Sequence, residues 1–86
     1  MRHNLPIRAR IADKYVANGI NWLEIHDRDG GYYLFHFTDI TLPPKWDTFT
    51  DNLEDLMLDC RKIWNIEDDQ WAHISSITNV GEKETK

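Results

Sequence analysis

Residues 20–41 read INWLEIHDRDGGYYLFHFTDIT, two runs rich in aromatic and β-branched residues on either side of Asp29-Gly30-Gly31. An Asp-Gly pair is favoured in two-residue hairpin turns, because both central positions need positive φ. With the turn at Asp29-Gly30, Trp22 lies opposite Phe37, Glu24 opposite Phe35 and His26 opposite Tyr33. One face then carries Ile20, Trp22, Tyr33, Phe35 and Phe37; the other carries Leu23, Ile25 and Leu34. A turn at Gly30-Gly31 shifts the pairs but keeps these faces, since the slip is an even number of residues. Both faces are partly apolar. Helices are therefore expected to cover one face fully and the other in part, with the aromatics as core beneath them.

The flanks supply two expected helices. At the N-terminus Asn4 can cap, Pro6 suits a first turn and Gly19 can end the helix. Ile7, Ile11, Ala12, Tyr15 and Val16 then line one side. After the hairpin, Pro43 and Pro44 break the chain, and a second helix is expected from about Lys45 to about Trp64. Within it Trp46, Phe49, Leu53, Met57 and Cys60 recur at three or four residues. NIEDDQ reads as a loop, WAHISSITNV as a third strand and GEKETK as a disordered polar tail. The expectation is a single small α+β domain over residues 1–80 with a tail at 81–86. Its order is α-β-β-α-β, a three-stranded, largely antiparallel sheet packed by two helices.

Size and composition agree with one domain. The chain has 86 residues, of which 41% are hydrophobic and 12% aromatic, too apolar for a disordered chain. Its formal net charge is −5, unevenly spread. Residues 46–70 hold eight acids (Asp47, Asp51, Glu54, Asp55, Asp59, Glu67, Asp68, Asp69) against Arg61 and Lys62. The first sixteen residues hold Arg2, Arg8, Arg10 and Lys14 against Asp13. The acidic surface argues against direct binding to nucleic acid or an anionic membrane, and it suits a basic partner. Cys60 is the single cysteine, so no intrachain disulfide forms, which fits a cytoplasmic location. Neither a signal peptide nor a transmembrane run is expected.

The acids carry the functional signal. Asp47, Asp51, Asp55 and Asp59 fall four residues apart, so one helix would stack them in a row with Glu54 beside it. Each like-charge pair at that spacing costs about 0.2–0.5 kcal/mol. A solubilising face is one explanation. The other is a docking surface for a cationic site, with Glu67, Asp68 and Asp69 as a second patch. KWDTFTDNLEDL also resembles the NWDAF-x-D-x-L-x-D-L helix of barstar-like ribonuclease inhibitors, which plug a ribonuclease active site with helix carboxylates. The resemblance covers residues 45–56. It implies that Asp47 and Asp51 are inhibitory acids and that Trp46 and Phe49 are core.

Other constellations point to less. His26-Asp27-Arg28-Asp29 with His36 holds metal-ligating types, but the hairpin puts the two histidines on opposite faces, and turn chemistry accounts for the aspartates. Cys60 sits on the apolar stripe among acids, the setting of a core thiol and not of a nucleophile. The sheet aromatics lack the Lys and Arg flanks of an RNA-binding face. Trp64 and Trp71 flank the Glu67–Asp69 patch and read as closing the edge of the core. No catalytic residue, metal or cofactor is therefore expected, and no enzyme. The reading is a small acidic inhibitor, of immunity or anti-defence type, that docks on the basic nucleic-acid-binding site of a nuclease or similar effector. The alternative is an interaction or scaffold subunit acting by homodimerisation or sheet-edge pairing. A nucleic-acid-binding module using Arg2, Arg8, Arg10 and Lys14 ranks behind both.

Overall fold

The structure is a computed structural model that describes residues 5–74. Strand β1 spans Ile7–Arg10, β2 Trp22–Arg28, β3 Gly31–Phe37 and β4 Trp46–Thr50. Helix α1 spans Leu53–Trp64, and β5 spans Ala72–His73. Short 3-10 turns occupy Asp13–Tyr15 and Asp68–Gln70. The strands form one antiparallel sheet in the order β4-β3-β2-β1-β5. The hairpin has the expected register, with Trp22 opposite Phe37, Glu24 opposite Phe35 and His26 opposite Tyr33. Its turn is Asp29-Gly30, at φ 59° and 79°.

The expected α-β-β-α-β order, with three strands and two helices, is overturned. The described residues form five strands and one helix. At the N-terminus, Ile7, Ala9 and Ile11 alternate with Arg8 and Arg10, and all three apolar residues are buried. That period of two suits a strand laid beside β2, and it prevails over the weaker helical spacing of Ile7, Ile11 and Tyr15. The expected helix at Lys45–Trp64 is also shorter. Trp46, Thr48, Phe49 and Thr50 favour strand and pair with β3 from His36 back to Tyr32. The helix starts one residue after Asn52, whose side-chain oxygen accepts the Asp55 N–H at 3.0 Å. It ends at Asn65 in the left-handed region, φ 58°. The expected strand WAHISSITNV is described only through β5. Asn4, residues 75–80 of that strand and the 81–86 tail lie outside the described residues.

Cross-strand partners sort the side chains by face. Ile7, Ala9, Leu23, Ile25, Leu34 and His36 point to the side packed by α1, with Leu56, Cys60, Ile66 and Trp71 closing the core. His36 stacks on Trp46 at 5.0 Å between ring centres and meets Trp64 of the helix edge-on at 5.8 Å. The opposite side carries Arg8, Arg10, Trp22, Glu24, His26, Tyr33, Phe35, Phe37, Asp47 and Phe49. With one helix among the described residues instead of two, this second face has no covering helix, and of its aromatics Phe49 is exposed, Trp22, Tyr33 and Phe35 are half-buried and Phe37 is buried. The expected second helix over its aromatics is therefore absent among the described residues, although Phe37 is buried as expected. Phe49 lies over Gly31: a Cβ at Gly31 would overlap its ring and come within 2.8 Å of the Thr50 carbonyl oxygen.

Candidate functional site

Two surfaces carry the chemistry of the chain. The first is the acidic segment. Asp47 lies in β4 and Asp51 in the link before the Asn52 cap, so neither belongs to the helix. The expected row of four stacked carboxylates is thereby reduced to Asp55 and Asp59, one turn apart on α1. Glu54 and Asp55 occupy the first helical turn, where the helix dipole favours them. Glu67, Asp68 and Asp69 gather beyond the helix around a shallow depression shared with Arg61. All eight acids are exposed. Among the described residues only Glu67 of the eight is ion-paired, to Arg61 at 3.5 Å. Trp46 and Phe49, expected in the core, are 43% and 51% exposed on the edge strand and point to opposite faces, Trp46 with His36 on the helix side and Phe49 with Asp47 on the other.

The second surface is the open sheet face. Phe49, Tyr33, Phe35 and His26 form a chain of rings across β4, β3 and β2. Successive centres are 4.9, 5.9 and 5.0 Å apart. Beside it lies a polar network. Arg8 donates through Nε and a terminal nitrogen to one Glu24 oxygen at 2.9 and 2.7 Å, and His26 Nε2 meets the other oxygen at 2.9 Å. The Arg8 guanidinium lies 5.9 Å from the Trp22 ring centre. Burial by itself would raise the Glu24 pKa. The hydrogen bonds and charges of His26 and Arg8 outweigh it and hold the carboxyl below its ordinary value. Glu24 is therefore an anion neutralised in place, and it adds no free charge to the face.

Two buried titratable groups belong to the other side of the sheet. Burial pushes the Cys60 thiol up to about 12, helped by the charge of Asp59, so it is a poor nucleophile. His36 is held neutral by burial against a smaller opposing pull from Asp47, and neither ring nitrogen has a hydrogen-bond partner. His26 and His36 point to opposite faces, as the hairpin predicts. Among the described residues no group of three or more His, Cys, Asp or Glu side chains is placed to hold a metal ion. No helix among them is long and apolar enough to cross a membrane.

The open face was missed by sequence reasoning, although its signal is present. Apolar residues on both faces of the hairpin require two covering layers. Once the N-terminal alternation is taken as a strand, only one helix remains to supply them. Compared with known protein families, curated proteins and solved structures, the chain matches none.

Proposed function

We propose that this chain is a small protein-binding inhibitor that docks its acidic segment, residues 46–70, on the basic nucleic-acid-binding site of a nuclease or similar effector. The observation that carries the reading is the uncompensated charge. Eight exposed acids occupy one run of β4, helix and 3-10 turn, and Glu67 alone among them has an ion-pair partner among the described residues. A solvated surface more often mixes signs, since opposite charges at helical spacing stabilise and like charges repel. Exposed Phe49, on the same face of β4 as Asp47, adds an apolar anchor of the type that dominates interface energies. Its polar surroundings favour fast, selective association with a cationic surface.

The mechanism involves no bond making. Carboxylates occupy positions that substrate phosphates would take and exclude the nucleic acid. The barstar-like resemblance over residues 45–56 offers a precedent for that use. The presentation differs from that helix: here Asp47 stands on an edge strand, Asp51 before the cap and Glu54, Asp55 and Asp59 on the helix.

Affinity capture at low salt, with elution by rising salt and nuclease assays on the eluate, tests this. The expected result is a basic nucleic-acid-handling protein whose activity this chain suppresses. Asp51→Lys combined with Asp55→Lys should weaken that complex by at least about a hundredfold, because each reversal turns attraction into repulsion. Its thermal unfolding should stay close to that of the wild type. Equal inhibition by wild type and double variant would reduce the acids to a solubilising surface.

A further inference from the structure

We propose that Asn18 is a site of spontaneous covalent change, at which the side-chain amide is lost as ammonia through a succinimide and replaced by aspartate and isoaspartate. The site lies in the connection between β1 and β2. It shares no residue with the acidic segment and does not depend on the inhibitor reading.

Asparagine is among the chemically labile residues. Its loss begins when the backbone nitrogen of the next residue attacks the side-chain carbonyl, so a side chain on that next residue obstructs the attack. Of the six asparagines in the chain, five are followed by Leu, Trp, Ile or Val, and Asn18 alone is followed by glycine. The structure exposes this pair. Asn18 and Gly19 form a two-residue turn at φ 57° and 76°, closed by the Ile20 N–H donating to the Ala17 carbonyl at 3.0 Å. Both residues are exposed. Among the described residues neither the Asn18 side chain nor the Gly19 N–H has a hydrogen-bond partner. Asn21 and Asn52 differ: the Asn21 amide donates to the Gly19 and Thr38 carbonyls, and the Asn52 oxygen caps α1. The matching turn at Asp29-Gly30 offers a carboxylate in place of an amide, and the Tyr33 hydroxyl donates to it at 3.2 Å. An ionised carboxylate resists attack by an amide nitrogen, so turns of like geometry differ in reactivity.

The steps balance with water as the one co-reactant. The Gly19 nitrogen gives its proton to hydroxide and bonds to Asn18 Cγ. The bond from Cγ to the amide nitrogen breaks, and ammonia leaves after taking a proton from water. Water then opens the five-membered ring. Attack at Cγ gives aspartate; attack at the Asn18 backbone carbonyl carbon gives isoaspartate, whose chain runs through Cβ and Cγ. One water is consumed, one ammonia is released, and one negative charge is added to the formal −5. The ring holds ψ of Asn18 outside the left-handed region, so the turn has to open before it closes. An exposed turn opens at far less cost than the whole fold. The two products then differ in fit. Aspartate keeps the chain length and tolerates positive φ. Isoaspartate adds a methylene to a two-residue loop, which no longer matches the Ala17–Ile20 spacing and pulls on Ile20, 2% exposed in the core.

Incubation of the full chain in mildly alkaline buffer tests the proposal, with intact mass, peptide mapping and circular dichroism to confirm folding. The expected change is the mass shift of one NH replaced by O, located at Asn18 before any other asparagine, with an equal amount of ammonia released. The mapped peptide should divide into two products of one mass, of which one is methylated by an isoaspartyl methyltransferase. The shift should be faster still in urea, where no turn has to open. Asn18→Gly keeps a residue that accepts positive φ and should abolish the first shift. Asn18→Asp keeps the turn and should release no ammonia there. A folded chain that keeps its mass while the urea-unfolded chain gains the shift overturns the proposal, because the turn then shields Asn18. So does a first exchange at Asn52 or another asparagine, or an undiminished shift in Asn18→Gly.

Discussion

His36 is the residue whose surroundings fit it least. It is 5% exposed, pressed between Trp46 and Trp64, and both its ring nitrogens lack partners. A buried imidazole without hydrogen bonds tolerates its neutral form and resists protonation, so its folded-state pKa lies below the ordinary 6.5. The unfolded chain therefore takes up a proton first as pH falls. Its contribution to stability is complete above about 6.5 and is lost below that value, at no more than about 1.4 kcal/mol per pH unit. His36→Phe keeps a ring between the two tryptophans and removes the titration. Denaturant unfolding of both proteins at pH 7.5 and 5.0 should show the variant losing less stability on acidification. Equal losses would mean that water reaches the imidazole. The alternation of the hairpin assigned His36 to the correct face. Its lack of partners was not legible, because it depends on what Trp46 and the helix place against it.

At the level of elements, the hairpin was readable and its neighbours were not. A two-residue turn and its register are specified within twenty residues, by Asp29-Gly30 and the flanking strand formers. The identity of β1 and β4 depends on pairing with residues far along the chain. In isolation Ile7, Ile11 and Tyr15 are as consistent with a helix, and Trp46, Phe49 and Leu53 likewise. The local cues that separate strand from helix near residue 50 are Thr48, Thr50 and the cap Asn52, and each is weak alone. The junction of β3 and β4 rests on one position without a side chain. Gly31 opens β3 where the Phe49 ring crosses it and the Thr50 carbonyl approaches, so a methyl group there must push both away. Gly31→Ala is predicted to destabilise the fold by about 1–3 kcal/mol, as overpacking of a filled site does. The measurement is urea unfolding. Gly31→Ala together with Phe49→Ala should recover part of the loss, because the ring is removed while the carbonyl stays. A single Gly31→Ala as stable as wild type would mean that β4 shifts freely on its partner strand.

For the whole molecule, stability and the proposed use of the acids pull in opposite directions, and that opposition can be measured. The clustering of acids was plain in the sequence, but not their division among a strand, a link, a helix and a 3-10 turn. On the helix Asp55 and Asp59 repel across one turn. Asp59→Lys turns that pair into an acid followed by a base four residues on, the favoured orientation. The variant should be more stable by about 0.5–1 kcal/mol, and less so in high salt, since both side chains are exposed. It should also associate more slowly with a basic partner, with the difference greatest at low ionic strength. A docking surface predicts both changes together, stability gained and association rate lost. A face that serves only solubility predicts the gain in stability with no change in rate. Thermal unfolding and stopped-flow association with the captured partner, measured on this single variant, separate the two accounts.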